Sequence, residues 1–291
     1  MPSIRLTKSI ITGLAAGSLF AITHPVDGFG GGCSGGSTIE IHVETPGHNS
    51  PSSAKHADIL LQYVTWPDGT SIDEFIYVDD VRDVEYEGPT RKMRAITGPD
   101  SEVGSPGVFD IEDGDGNSGS VSSQDLSLFA DRILNAWNHN NLNGYIDLRS
   151  NAHYSFTVDF EATIRDNSPL EDDVGELLIF EVAGNSIVQI EALDEQGQTI
   201  GTPVIVGYGS EWKRVAPERL YVGRYANNGS PRCGSFEYKA TGVDLTDLGV
   251  MELNTLRISR PTNAGCSDVR ADTRIVGVKT SIVPTAAMVF D

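Results

Sequence analysis

Between Glu176 and Gly201 the chain reads ELLIFEVAGNSIVQIEALDEQGQTIG, and its apolar positions recur with a period of two. Leu177, Leu178, Ile179 and Phe180 form a continuous run. After Gly184-Asn185 the pattern resumes, with Val188, Ile190 and Ala192 on one side and Gln189 and Glu191 on the other. That alternation describes a half-buried strand. Asp194 to Gln198 has turn composition, and Thr199 to Val206 returns as a β-branched strand. The stretch predicts a β-meander inside an antiparallel sandwich, with Leu177 to Phe180, Val188, Ile190 and Ala192 in its core.

The same period runs through most of the chain. Thr38 to Val43, Ile59 to Val64 and Phe75 to Val78 read as early strands, and Trp66-Pro67-Asp68-Gly69 between the latter two is a turn, since proline presets one dihedral and glycine accepts a positive one. Asp79 to Glu87 interleaves both charge signs and predicts an edge strand or solvated face. Later strands are expected at Tyr145 to Leu148, Ser155 to Ile164, Leu220 to Tyr225, Phe236 to Lys239, Thr255 to Ile258 and Arg274 to Ser281. One segment breaks the rule. Leu126, Phe129, Ala130, Ile133, Leu134 and Trp137 form a single stripe at helical spacing, with Ser122 and Asp125 as cap and first-turn acid. This helix is expected to plug one end of the sandwich or cross a sheet face. Asn138 to Asn143 ends it.

Composition narrows the class. The chain has 291 residues, of which 31 are glycine and 14 proline, which suits strands joined by short turns. Its formal net charge of −20 excludes a nucleic-acid partner, because no basic stripe is present to meet phosphates. Arg5 and Lys8 followed by the uncharged run Ser9 to Thr23 match a secretory signal, too short for a membrane span. The expected organisation is a signal over residues 1–23, a Gly/Ser/Pro-rich tether with a short strand over 24–56, a β-sandwich over 57–285 and a tail over 286–291. Three cysteines are an odd count for an exported protein. Cys233 and Cys266, both in turn-rich surroundings, are the expected disulfide, leaving Cys33 to be removed with the signal, lipidated or left as a thiol. Membrane association is expected only through the signal or such a lipid.

Two places suggest ligand chemistry. Asp110 to Gly119 sets carboxylates on a glycine-rich loop, and Asp113, Asp115 and Asn117 have the one-three-five spacing of a calcium loop. Ser118 and Gln124 depart from that motif at its sixth and twelfth positions, so a solvated loop is the alternative. Trp212, with Tyr208 nearby, is a candidate sugar platform, set against the alternative that its indole closes the sandwich core. Neither a His-Glu-x-x-His pair nor a Walker loop occurs. The carboxylates that a glycosidase needs are present, but their number makes them uninformative.

From Asn140 to Thr280 the order of features resembles the exosortase-dependent surface proteins of bacteria. The matching pieces are NLNGYID at 141–147, ELLIFE at 176–181 followed by GNS at 184–186, VQIEALD at 188–194, GVDLTDLG at 242–249 and RIVGVKT at 274–280. The resemblance implies an exported, non-catalytic β-sandwich of the cell surface or extracellular matrix. The sandwich is also similar to jelly rolls of the galactose-binding type, which often hold a structural calcium. The family's Pro-Glu-Pro tail, apolar span and basic cluster do not precede Asp291, so secretion or lipid attachment at Cys33 replaces sortase-type anchoring in this expectation. The expected role is structural or adhesive, with surface polysaccharide or other surface proteins as partners. A calcium-assisted carbohydrate-binding module or lectin is the alternative, and a polysaccharide-active hydrolase the third reading.

Overall fold

The computed structural model describes residues 39–45, 58–66, 69–87, 94–97, 107–110, 121–148, 153–166, 175–184, 187–207, 212–215, 220–225, 231–261 and 271–280. They form an all-β antiparallel sandwich with a single helix among the described residues. A first layer pairs β1 (Glu40–Glu44) with β2 (Leu60–Thr65) and β2 with β3 (Ser71–Ile72). The chain then passes from β4 (Phe75–Ile76) into β5 (Val78–Glu87), through β6 (Arg94–Thr97) and β7 (Gly107–Asp110) to helix α1 (Ser123–Trp137), and on to β8 (Tyr145–Ile146) and β9 (His153–Arg165). The remaining strands are β10 (Leu177–Val182), β11 (Val188–Leu193), β12 (Thr199–Val206), β13 (Lys213–Arg214), β14 (Leu220–Tyr225), β15 (Pro231–Phe236), β16 (Tyr238–Val243), β17 (Glu252–Ser259) and β18 (Thr273–Val278).

Two five-stranded sheets carry the architecture, in the orders β13-β16-β10-β18-β4 and β12-β11-β17-β9-β5. The first of these is the middle layer. Leu177 and Ile179 of β10 face the second sheet, meeting Phe156, Val158, Ile190, Leu256 and Ile258 in one apolar core. Leu178, Phe180 and Val182 face the other way, against Ile41, Leu61, Val64 and Trp66 of the first layer and its flanks. All six residues of β10 and all six of β18 are therefore buried. A strand covered on both faces has no polar side, which is why Leu177 to Phe180 reads as an unbroken apolar run. β11 has one wet face, so it alternates.

The meander expected over Glu176 to Gly201 is corrected on one point. β11 and β12 do form a hairpin, but β10 lies in the opposite sheet. Ala183 (φ 83°) and Gly184 (φ 70°) turn the chain sharply between them. Two successive left-handed residues redirect the backbone out of the plane of the first sheet, so the apolar runs on either side of Gly184 belong to different layers.

Ser122 caps α1 as expected, with its hydroxyl accepting from the Asp125 amide at 3.2 Å and the Asp125 carboxylate accepting from the Ser122 amide at 2.8 Å. Phe129, Ile133, Ala136 and Trp137 turn the helix stripe into the core, where the Trp137 ring meets Phe156 at 5.7 Å. The helix ends at Trp137, where the segment Asn138 to Asn143 is expected to stop it; Asn138 caps it with φ −85°, and its terminal carbonyls are taken up by a side chain. Arg274 of β18, fully buried, donates to the carbonyls of Ala136 (2.8 Å), Trp137 (3.4 Å), Gly144 (3.3 Å) and Asn141. The negative end of the helix dipole thus receives the cation. Burial pulls the Arg274 guanidinium down to about 10, so it stays charged at neutral pH.

His139 sits beside this clamp. Its Nδ1 accepts from the Asn141 amide at 3.1 Å, and burial, followed by the charge of Arg274, pushes its pKa down to about 3. The unfolded chain takes up this proton near 6.5 and the folded one resists until about 3, so the unfolded state binds more protons between those limits. The stability contributed by neutral His139 is complete above pH 6.5 and is lost as pH falls toward 3, on the order of a few kcal/mol. Thermal melts over that range should show a steeper fall for the wild type than for His139→Asn, and equal slopes would contradict this assignment.

Candidate functional site

The outer face of the β12-β11-β17-β9-β5 sheet is where the described structure concentrates exposed polar side chains in register. Phe156, Val158, Leu256, Ile258, Val188 and Ile190 point into the core, so the residues alternating with them point out. Register places Glu85 opposite Ser155, Ser155 opposite Ser259, and Ser259 opposite Gln189. One row of hydrogen-bonding side chains therefore crosses four strands. Glu87 stands opposite His153 beside that row, and Arg257 opposite Glu191 on the other flank. Together these residues line a groove of about 450 Å³.

The groove has built walls. Along β5 the register slips between Arg82 and Glu85, and Asp83 takes φ 52°, a left-handed value uncommon outside glycine. A bulge of this kind bends a strand and re-aims the residues beyond it, here Glu85 and Glu87. On the β11 side, Glu191 is fixed from three directions. It accepts from Gln189 Nε2 at 2.6 Å, from the Thr199 hydroxyl at 2.9 Å and from Arg257 at 3.2 Å, while Arg257 also donates to the Gly197 carbonyl at 3.2 Å. Further along the same face Arg82 grips Asp159 through two bonds of 2.9 and 3.0 Å, and Thr255 donates to Asp159 at 2.6 Å. The hydrogen bond to Asp159 raises the Arg82 guanidinium above its ordinary value. Such networks hold side chains in place before any ligand arrives.

Of the residues singled out in the sequence, Trp212, Asp110 and Cys233 are among those described. Trp212 is half-buried against the inter-sheet core and its Nε1 donates to the Gly207 carbonyl at 3.0 Å, the arrangement of an indole that closes a core edge. Tyr208 lies outside the described residues. Asp110 ends β7, opposite Arg94, while Asp113, Asp115 and Asn117 lie outside the described residues. Among the described residues no group of three or more His, Cys, Asp or Glu side chains is placed to hold a metal ion. Cys233 stands in β15 opposite Gly223; Cys266 and Cys33 lie outside the described residues. β1 falls where a short strand is expected within the 24–56 segment, and it pairs with β2.

The groove residues were visible in sequence only as the polar half of alternating strands. What selects them from other polar positions is register across strands distant in the chain, together with the bulge at Asp83. Comparison of the chain with family models, curated proteins and solved structures finds no match.

Proposed function

We propose that this chain is a non-catalytic protein of the cell exterior, secreted or held at the surface or in the matrix, that recognises a partner through the groove face. The observation that carries the reading is the cross-strand row Glu85, Ser155, Ser259 and Gln189, set on rigid strands and flanked by ion pairs already satisfied within the protein. Such a surface suits recognition by many modest hydrogen bonds. The basic and apolar start of the chain supports export, as does the resemblance to exosortase-dependent surface proteins.

The scaffold reading is a jelly roll. With β4, β9, β10, β11, β12, β16, β17 and β18 numbered one to eight, the neighbours in the two sheets are one with eight, two with seven, three with six and four with five. A long antiparallel hairpin rolled over on itself produces that order. A disulfide between Cys233 and Cys266 and a calcium ion on the Asp110 to Asn117 loop belong to the same proposal for an oxidising exterior. Protease treatment of intact cells that make the protein tests the reading. Loss of full-length protein without lysis is expected, and protection until lysis would overturn it.

A further inference from the structure

Resting on that reading of the groove face, we propose that the groove takes a neutral oligosaccharide, a polyhydroxylated chain without uronate or sulfate groups, laid across the strands. Four neighbouring strands about 4.8 Å apart make the row from Glu85 to Gln189 roughly 14 Å long. That is the reach of an extended ligand in contact at several points rather than of a single ion. The groove volume, about 450 Å³, falls within the range of small-molecule sites, roughly 300–1,000 Å³.

The chemistry of the lining selects among extended ligands. Carboxylate, amide, hydroxyl and imidazole groups alternate along it, and sugar hydroxyls can both donate to and accept from such groups. The side chains of Glu85, Glu87, His153, Ser155 and Ser259 make no hydrogen bond or ion pair among the described residues, so their capacity faces the groove unspent. Glu191 and Arg257, by contrast, satisfy one another and fix the rim.

Charge argues against a polyanion. Arg257 is neutralised by Glu191, while Glu85 and Glu87 outnumber the remaining cation Arg260, and the chain carries a formal −20 overall. A peptide added as an extra strand runs along a sheet edge with unpaired backbone groups, whereas this groove crosses the face of β9, β17 and β11, each paired on both sides, and meets the sheet edge only at β5. An acyl ligand needs a pocket walled by aliphatic side chains, and this lining holds none, its apolar surface coming from the rings of Tyr86 and Tyr154 and the stems of longer polar side chains.

The test is binding of the full chain to an immobilised panel of neutral gluco-, galacto-, manno- and xylo-oligosaccharides, with uronate-bearing and sulfated chains alongside, followed by titration calorimetry. Glu85→Ala and Gln189→Ala remove opposite ends of the row; Glu85 is exposed and its variant should melt at the wild-type temperature, while Gln189→Ala gives up one hydrogen bond to Glu191 and should melt only slightly lower. Binding to at least one neutral class is expected, weakened about tenfold by each substitution. Absence of neutral-glycan binding, binding confined to anionic chains, or affinity unchanged in both variants would overturn the proposal. Release of shorter products from a bound neutral glycan would support the ligand class while overturning the non-catalytic reading, so the two can fail separately.

Discussion

Arg274→Met is expected to lower stability by about 3–5 kcal/mol. The guanidinium is fully buried and its partners are all main-chain carbonyls, from the last turn of α1 (Ala136, Trp137) and from the loop that follows (Asn141, Gly144). Methionine fills much of the volume yet leaves those carbonyls without a donor, away from water. Helix α1 and the loop to β8 should loosen together. Arg274→Lys should recover only part of the loss, because one ammonium cannot reproduce a planar fork reaching four acceptors, and burial favours the neutral amine. Urea unfolding of the three proteins checks the order wild type, lysine, methionine. A methionine variant as stable as the wild type would contradict the clamp.

Phe180→Ala should cost a similar amount, about 3–5 kcal/mol. The ring projects from β10 on the face away from the second large sheet, is fully buried, and lies 6.3 Å from the Tyr238 ring, whose hydroxyl donates to the Leu142 carbonyl at 2.6 Å. In a two-layer sandwich that face would meet solvent, and truncation there would change stability by well under about 1 kcal/mol. The loss therefore measures the additional layer built from β1 to β3. Thermal or urea unfolding of the variant reads it directly.

The sequence carried the elements more clearly than their arrangement. Periodicity located α1, its Ser122 cap and the β11–β12 hairpin, because each is specified by residues close together in the chain. It misassigned the relation of β10 to β11, because a run of four apolar residues shows only that both faces are buried, not which sheets bury them. Arg274 looked like an ordinary residue of a late strand. Its role depends on a helix end about 137 residues earlier coming to lie beside β18. The groove was illegible for the same reason. Gln189 and Glu191 were recognisable as the solvent side of β11, but their alignment with Ser259, Ser155 and Glu85 is a property of register between strands remote in sequence. The indole of Trp212 drew attention instead because its composition resembles a ligand site locally, while the loop at Asp113 lies outside the described residues. Trp212 proves to be engaged with the core and with Gly207.

The central claim is that recognition happens on the groove face rather than at the acidic loop or at Trp212. Amide hydrogen exchange of the full chain, with and without the neutral oligosaccharide it binds best, tests this most directly. Slower exchange on ligand addition is expected in the segments carrying Glu85 to Glu87, His153 to Ser155, Gln189 to Glu191 and Arg257 to Arg260. Protection confined to the segments around Asp113 or Trp212, with these four unchanged, would contradict it.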